Sequence, residues 1–354
     1  MWFIVISLLL IIASLIPLIN SPYWFFRIFE FGKVQLFQLF LLLLIFGIIF
    51  FKKENHFIIV FCIDIIVITY LIKDLFPYSK LKKARKNIKS SFSSKIITVI
   101  SANVYQDNSN YKRLINLVNN HNPDLLLTME SDKKWEDGLS VLEKKYPHQI
   151  KIPLENTYGM HLYSKLEITN HKVHFFVADD IPSIQAEIKT IDGYKFDFFG
   201  VHPPPPSPTE EDNSKERDGE ILSVGKMVKK LKNPCLVIGD FNNVAWAKSS
   251  ILFKKTSKLI DARVGKGLFS TFHAKYWFLR FPIDLLFHSS EIYIEDLKTL
   301  DYFGSDHFPI YCSFYIDKNS GNNEESNENL NQENKENINE MIKEGKKEKS
   351  ENRN

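Results

Sequence analysis

The chain has few cysteines and little net charge. Its 354 residues include only three cysteines, Cys62, Cys235 and Cys312, and no two of them form a CxxC pair. This spacing indicates neither a zinc site nor a disulfide framework. The formal net charge is only +3. A charge so close to neutral for this length gives no support to a protein that binds nucleic acid through its overall charge.

Three long apolar runs stand out in the first 75 residues, at positions 1–19, 34–51 and 57–72. Each is about as long as a helix that crosses a hydrocarbon core of ~30 Å. A cleaved signal peptide would explain only the first run, which lacks a basic n-region and an obvious small-residue cleavage site. A buried hairpin of soluble helices fits poorly, because the second run is apolar on every face. We therefore predict three transmembrane helices within residues 1–75.

A single carboxylate, Asp64, interrupts the third apolar run. An unpaired charge at that depth costs at least ~2.5 kcal/mol. We therefore expect Asp64 to face the other helices, either protonated or hydrogen-bonded.

Basic residues give conflicting signals about the side of the membrane on which the following domain lies. The linker at residues 76–94 is basic, which favours a cytoplasmic domain. The tight KKEN turn at residues 52–55 lies on the opposite side of the third run and favours the reverse orientation. Because orientation signals often act before distal charges emerge, we expect an extracytoplasmic domain.

Residues 95–316 alternate short β-rich runs, such as HLYSKLEI at 161–168, with helical or irregular stretches. Helices are predicted at residues 110–121 and 218–231. Many strands with few helices predict an α/β sandwich, in which helices cover two packed sheets. Residues 317–354 are rich in Asn, Glu and Lys and contain no aromatic residue. This composition predicts a disordered tail that serves as a spacer.

Polar residues close or follow six segments of the sandwich, most of which are apolar runs. Any one of them is consistent with a turn residue or a helix cap. Their recurrence predicts a functional site, because sheets of this kind place their sites at strand ends and in the adjoining loops. The residues are Asn103, Glu130, His202, Asp240, Asn242, Asp284, Asp306 and His307.

Four motifs carry a resemblance to a known family. GDFN (239–242), GSDHFP (304–309), the Glu of LLLTMES and the Asn of ISANVY occur in the order found in the endonuclease/exonuclease/phosphatase superfamily. The stretch VHPPPPSP (201–208) and the PID of FPIDLLF further resemble a bacterial branch with three amino-terminal spans. The resemblance covers residues 97–315 and implies a four-layered, DNase I-like α/β sandwich. With the apolar runs, it implies a multi-pass protein of a bacterial inner or plasma membrane.

The resemblance also implies a divalent metal ion, usually Mg²⁺ with Mn²⁺ as the alternative. Glu130 would bind the ion with help from Asn103 and Asp306, since a hard cation prefers oxygen ligands. The sequence departs from the family at two positions, each next to a predicted site residue. Met129 stands where a Gln usually precedes the metal-binding Glu, and Leu285 stands where the membrane branch commonly has His.

The remaining site residues take catalytic roles by the same resemblance. His307 would deprotonate the attacking water, and Asp284 would hold its imidazole in the useful tautomer. Asp240 and Asn242 would position the nucleophile and a phosphate oxygen. His202 would protonate the leaving oxygen or neutralise charge on the phosphate.

The sequence leaves the substrate open among nucleic acid, phospholipid and sugar phosphate. It indicates contact with membrane lipid and no inferable protein partner. The aromatic and basic stretch HAKYWFLR (273–280) is consistent with stacking on a base, with contact to a lipid surface, or with an ordinary loop. A membrane-anchored pseudoenzyme or binding protein with the same fold is the alternative to a phosphoesterase.

Overall fold

Helices without strands occupy the two ends of the described chain, and strands alternate with helices in its middle. The computed structural model describes residues 2–50, 54–85, 94–317 and 330–348. The helices are α1 (Trp2–Leu15), α2 (Trp24–Phe31), α3 (Lys33–Ile49), α4 (Asn55–Leu75), α5 (Tyr111–His121), α6 (Lys133–Gly138), α7 (Lys215–Val228), α8 (Lys248–Ser257) and α9 (Gln332–Gly345). The Lys52–Lys53 turn and residues 86–93 of the predicted basic linker lie outside the described residues.

Twelve strands form two six-stranded sheets. They are β1 (Ile97–Asn103), β2 (Leu125–Met129), β3 (His148–Ile152), β4 (Met160–Ser164), β5 (Glu167–His174), β6 (Ser183–Lys189), β7 (Lys195–Val201), β8 (Cys235–Asp240), β9 (Ile260–Asp261), β10 (Asp284–His288), β11 (Ile292–Thr299) and β12 (Ile310–Ile316). The orders are β11-β12-β1-β2-β4-β3 and β5-β6-β7-β8-β10-β9. Among these strands of the described residues, β1 with β2 and β7 with β8 are parallel pairs, and the other pairs are antiparallel.

The alternation of side chains along the strands explains the layers. Val99 and Leu127 of the first sheet pack against Phe198 and Ile238 of the second, in one apolar cluster between the sheets. Residues of opposite parity face outward, where α5 and α6 cover the first sheet and α7 and α8 cover the second. Because successive side chains point to opposite faces, buried strands with apolar residues at both parities need helices outside. The predicted α/β sandwich of two sheets and covering helices is confirmed.

Individual elements differ from the prediction where the tertiary environment decides. The helix predicted at 110–121 is confirmed, whereas that predicted at 218–231 begins three residues earlier, at Lys215. HLYSKLEI is two strands in different sheets rather than one. At the break, the Ser164 hydroxyl donates to the Leu166 carbonyl and accepts from the Leu166 N–H, which turns the chain. The strands β3, β9 and β12 and the helices α2, α6 and α8 were not predicted.

The prediction of a disordered tail is wrong for α9. Ile338 is buried against Leu222 of α7 and Leu252 of α8. Ile338, Met341 and Ile342 stand three and four residues apart, so they line one face of a helix, a stripe that the polar composition concealed. Lys215 forms an ion pair of 2.9 Å with Glu348 beyond the end of the helix. Residues 318–329 and 349–354 of the predicted tail lie outside the described residues.

The amino-terminal helices pack on one another and on the sandwich. α1, α3 and α4 share two apolar clusters. Asp64 is buried among them and accepts a hydrogen bond of 2.8 Å from the Ser7 hydroxyl, as its position predicted. The Trp246 indole donates to the Glu30 carbonyl of α2 at 2.7 Å. Within the described residues, no helix alone is long and apolar enough to count as a candidate membrane span; α2 and α3, bent by 62°, pass that test only as a pair.

Gly239 is the residue that lets β7 and β8 approach at the end of the sheet. Its φ is +153°. A Cβ at this position would lie 2.0 Å from the carbonyl oxygen of Val201, its partner in the register of the two strands. Neither the backbone angle nor the space therefore admits a side chain.

We expect Gly239→Ala to lower the free energy of unfolding by about 3 kcal/mol or more, because it adds a backbone clash to an unfavourable φ. Gly193→Ala is the control, since Gly193 also has a positive φ, +84°, but nothing lies within 4 Å of its Cβ position. The control should lose only about 1–2 kcal/mol. Thermal unfolding midpoints compare the two variants, and equal losses would contradict the steric explanation.

Candidate active site

The polar strand ends meet at one edge of the sandwich, where the gap between the sheets opens. Asn103 ends β1 with the parity of Val99, and Asp240 ends β8 with the parity of Ile238, so both side chains point into the gap. Asp284 begins the antiparallel strand β10 and is paired with Asp240 in the register. The same alternation that builds the core therefore delivers these polar groups to its mouth.

The carboxylate of Asp240 is the centre of the site. The side chain is 1% exposed. Its Oδ2 accepts a hydrogen bond of 3.1 Å from Asn103 Nδ2 and lies 3.4 Å from Nε2 of His307 and 3.9 Å from Nε2 of His202. Its Oδ1 accepts from the N–H of Asn242 at 2.9 Å. Polar groups from the end of β1 and from the loops after β7, after β8 and before β12 thus converge on one buried carboxylate.

His307 lies between two carboxylates. Its Nδ1 is 2.8 Å from Asp284 Oδ2, and the Phe272 ring packs on the imidazole at a centroid distance of 5.0 Å. Burial alone lowers the pKa of His307, but the charges of Asp284 and Asp240 outweigh burial and raise it to about 10. The imidazole is therefore protonated at neutral pH, so before it can serve as a base it must first give up this proton.

His202 has the opposite electrostatic environment. Burial lowers the pKa of His202 to about 4, despite the nearby charge of Asp240. Its Nδ1 is buried and has no hydrogen-bond partner among the described residues. The ring of Tyr158 lies beside it at 5.4 Å. The two histidines that face Asp240 therefore differ in charge at neutral pH.

Glu130 is a partly buried carboxylate that forms no ion pair with a lysine or arginine among the described residues. It adopts a left-handed φ of +58° directly after β2. Its oxygens accept hydrogen bonds from Asn103 Nδ2 at 2.7 Å and from the Gln106 N–H at 3.2 Å. Burial, together with the charge of Asp306, raises the pKa of Glu130 to about 8. The charge of Asp306 acts on Glu130, and two carboxylates so placed form a donor set that suits a hard divalent cation. Asn103 turns its Nδ2 toward Glu130, and its Oδ1 accepts from the Tyr105 N–H at 3.0 Å.

The comparisons identify the family of this chain. Residues 100–307, a range that contains all eight predicted site residues, match the model of the Endonuclease/Exonuclease/phosphatase family. The chain belongs to this family. No curated protein matches it in sequence.

Solved structures agree with the fold. An endonuclease/exonuclease/phosphatase family protein from Bacteroides thetaiotaomicron is 20% identical, with a TM-score of 0.54, and the match covers 66% of this chain and all of that one. D. rerio TDP2 in complex with a single-strand DNA product is 16% identical over 62% of this chain and 99% of that one, with a TM-score of 0.54. The human Nocturnin catalytic domain is 16% identical over 62% and 94%, with a TM-score of 0.51.

Within this family site, the ligand atoms of Asp240, Asp284 and His307 all lie within 4.8 Å of one another. The His307 imidazole already occupies the space between the two carboxylates as their counterion. Among the described residues, Glu130 and Asp306 form no ion pair with a cationic side chain, so with Asn103 they are the better candidates for holding a metal ion.

Met129, which stands where the family usually has Gln, makes a hydrogen-bond contact with Asp240. The Met129 sulfur lies 3.1 Å from the N–H of Asp240 and accepts a hydrogen bond across the two sheets. Thioether sulfur is a weak acceptor. Met129 therefore supports the position of Asp240 from the opposite sheet, but less strongly than an amide oxygen would.

Asn242 is held in the turn after β8 by hydrogen bonds on both sides. It has a left-handed φ of +47°, and its Nδ2 donates to the carbonyl of Pro203 at 3.0 Å. Its own carbonyl accepts from Arg217 Nη1 at 3.1 Å. Asn242 thus ties the turn after β8 to the VHPPPP loop, and its contact with the nucleophile and a phosphate oxygen stays a prediction.

Sequence reasoning missed two residues that support the site. Ser305 is buried, donates to the carbonyl of Asn103 at 2.8 Å and accepts from the His307 N–H at 3.0 Å. Arg217 of α7 is buried and forms an ion pair of 2.9 Å with Asp218 beside the carbonyl of Asn242. Ser305 could have been found inside the GSDHFP motif, whereas nothing in the pattern of α7 marks Arg217.

Proposed function

We propose that this chain hydrolyses a phosphate ester with the help of a divalent cation, Mg²⁺ in the first place and Mn²⁺ as its substitute. The observation that supports the proposal is the convergence of His307, His202 and Asn103 on the buried carboxylate of Asp240, beside the uncompensated carboxylate of Glu130. Burying such charges is unfavourable without a compensating role. Their convergence favours a phosphoesterase over a pseudoenzyme with the same fold.

Glu130 and Asp306 would hold the cation through their carboxylates. Asn103 would join them through its amide oxygen after its side-chain amide turns over, since Oδ1 accepts from the Tyr105 N–H in this structure. When bound, the cation would neutralise charge on the phosphate and polarise its oxygens. Its positive charge would also keep Glu130 ionised, against the effect of burial.

The chain's own residues would handle the protons. Asp240 and the protonated His307 lie 3.4 Å apart, and in this charge state the Asp240 carboxylate is the group of the pair that would take a proton from the attacking water. Asp284 fixes the imidazole through Nδ1. His202 is neutral in this environment, and a phosphate anion beside the ring would favour its charged form. It is then placed to protonate the leaving oxygen as the phosphorus–oxygen bond breaks.

The first prediction concerns the metal ligand. Glu130→Gln should lower turnover of bis(p-nitrophenyl) phosphate at least ~100-fold, on the scale of lost catalytic groups, because the cation loses a charged ligand. Mg²⁺ should also stabilise the parent protein against thermal unfolding and fail to stabilise the variant.

The control for this prediction is Glu167→Gln, which removes an exposed carboxylate on β5. It should match the parent in both measurements. Undiminished turnover by Glu130→Gln would contradict the assignment.

The second prediction concerns the Asp240–His307 pair. Asp240→Asn and His307→Ala should each lower kcat/KM at least ~100-fold, and the double variant should be little worse than the poorer single one, because the two act as a unit. His171→Ala removes an exposed histidine from β5 and should have no effect. Losses that multiply in the double variant would mean that the two residues act independently.

We further propose that α1, α3 and α4 anchor the chain in a membrane. Their outward faces carry large apolar side chains, and Leu9, Leu42, Ile49 and Ile66 are each more than 60% exposed. Continuous apolar surface of this kind marks contact with lipid or with another protein. The 21 residues of α4 would extend about 31 Å, at 1.5 Å per residue, close to the thickness of a bilayer core.

The third prediction concerns the side of the membrane. With three spans and the KKEN turn retained inside, the sandwich would lie outside the cytoplasm. Alkaline phosphatase fused to the end of the chain in a bacterial host should therefore be active. An inactive phosphatase, together with bright fluorescence from a cytoplasmic-type fluorescent protein at the same position, would establish the opposite orientation.

A further inference from the structure

Four consecutive apolar side chains project from the sandwich next to the site. Tyr276, Trp277, Phe278 and Leu279 are all exposed, and Trp277 is 79% exposed. A short 3₁₀ helix, Trp277–Leu279, holds them in place. Lys275 and Arg280 flank them, and residues 275–280 are called the aromatic loop below. Exposed apolar clusters next to a site mark a contact surface.

The aromatic loop continues the apolar surface of the amino-terminal helices. Gln35, near the start of α3, donates from Nε2 to the carbonyl of Arg280 at 3.0 Å and lies 3.4 Å from that of Phe278. The ring of Phe31 meets that of Phe281 edge-on at 6.1 Å. One turn beyond Gln35, the exposed apolar face of α3 begins with Leu39. The loop therefore lies at the level where α3 would leave a bilayer, which is the depth that Trp and Tyr prefer.

The same loop adjoins the catalytic residues. Directly before it, the N–H of Ala274 donates to the carbonyl of Asp306 at 2.6 Å. Within it, the guanidinium of Arg280 lies 4.8 Å from the centre of the Phe308 ring. The SDHF segment, residues 305–308, is thus contacted near both ends of the aromatic loop. A surface that rests on the aromatic loop would lie close to His307 and Asp240.

We propose that the aromatic loop inserts into the interface of the bilayer and that the phosphate ester cleaved at this site belongs to a phospholipid headgroup. This inference rests on the proposed function. Headgroup phosphates lie at the depth of the interfacial aromatic side chains, so the docked loop would present a phosphodiester at the mouth of the site. Lys275 and Arg280 add attraction to anionic headgroups.

The reaction needs no further reactant. Water adds its oxygen to phosphorus, one phosphorus–oxygen ester bond breaks, and the proton of water passes through the site to the departing alcohol. The products are an alcohol and a phosphate monoester, one of which stays attached to the lipid.

The test compares hydrolysis of a phospholipid with hydrolysis of a soluble phosphodiester. The full chain is placed in vesicles of phosphatidylcholine that contain a minor share of phosphatidylglycerol. Replacing both Trp277 and Phe278 with Ser should lower phospholipid hydrolysis at least ~10-fold, since the docked loop loses the burial of two aromatic rings. Hydrolysis of soluble bis(p-nitrophenyl) phosphate should stay within about twofold of the parent, because the catalytic residues are untouched. Ile191→Ser is the control, because Ile191 is 81% exposed at the turn between β6 and β7. It should change neither rate.

A second measurement does not depend on turnover. The difference in fluorescence between the parent and Trp277→Phe is the emission of Trp277. Brominated phosphatidylcholine should quench this emission. Absence of this quenching would overturn the docking. Cleavage of single-stranded DNA or a sugar phosphate in preference to every vesicle lipid would overturn the substrate class. If no phosphate ester is cleaved at all, the proposed function itself fails, while the quenching still decides whether the loop meets the bilayer.

Discussion

The buried negative charge of Asp240 is the constraint on which the rest of the site depends. A carboxylate that is 1% exposed needs donors around it, and the chain supplies them from Asn103 in the opposite sheet, from Asn242 in the following turn and from two histidines. Gly239 allows the strand to bring this carboxylate close to β7. The position of Asp240 therefore fixes how the two sheets meet at their open edge, and it fixes where a reacting phosphate can lie.

Much of this arrangement follows from alternation along the strands. Residues that share the parity of the inter-sheet core, such as Asn103 and Asp240, lie at the open edge of the gap. The recurrence of polar strand ends therefore predicted that these side chains lie close together. The charges of the two histidines could not be predicted from the sequence, because they depend on neighbours that are distant along the chain. His202 and His307 are the same residue type, yet burial leaves His202 neutral whereas two carboxylates keep His307 charged. The supporting role of Arg217 and the packing of α9 likewise exist only after the chain has folded.

The amino-terminal helices and the turn that follows β8 belong to one packed unit. The segment that follows GDFN, from Val244 to Ala247, shares an apolar cluster with Tyr78, and Phe31 and Val34 pack against it. The Trp246 indole binds the backbone of α2 directly. Because these contacts lie only a few residues from Asp240, the orientation of the site relative to the helices is set by side-chain packing rather than by a flexible tether. If the helices lie in a bilayer, the site has a defined height and tilt above it.

The most direct test of the central claim is the turnover of bis(p-nitrophenyl) phosphate by the full chain in detergent, after EDTA treatment and again after Mg²⁺ is restored. Metal-dependent hydrolysis at the Asp240 site predicts that turnover disappears with EDTA and returns with Mg²⁺. Turnover that persists in EDTA would contradict the role of the cation. A folded protein that cleaves no phosphate ester with Mg²⁺ or Mn²⁺ would show that the buried charges serve binding rather than catalysis.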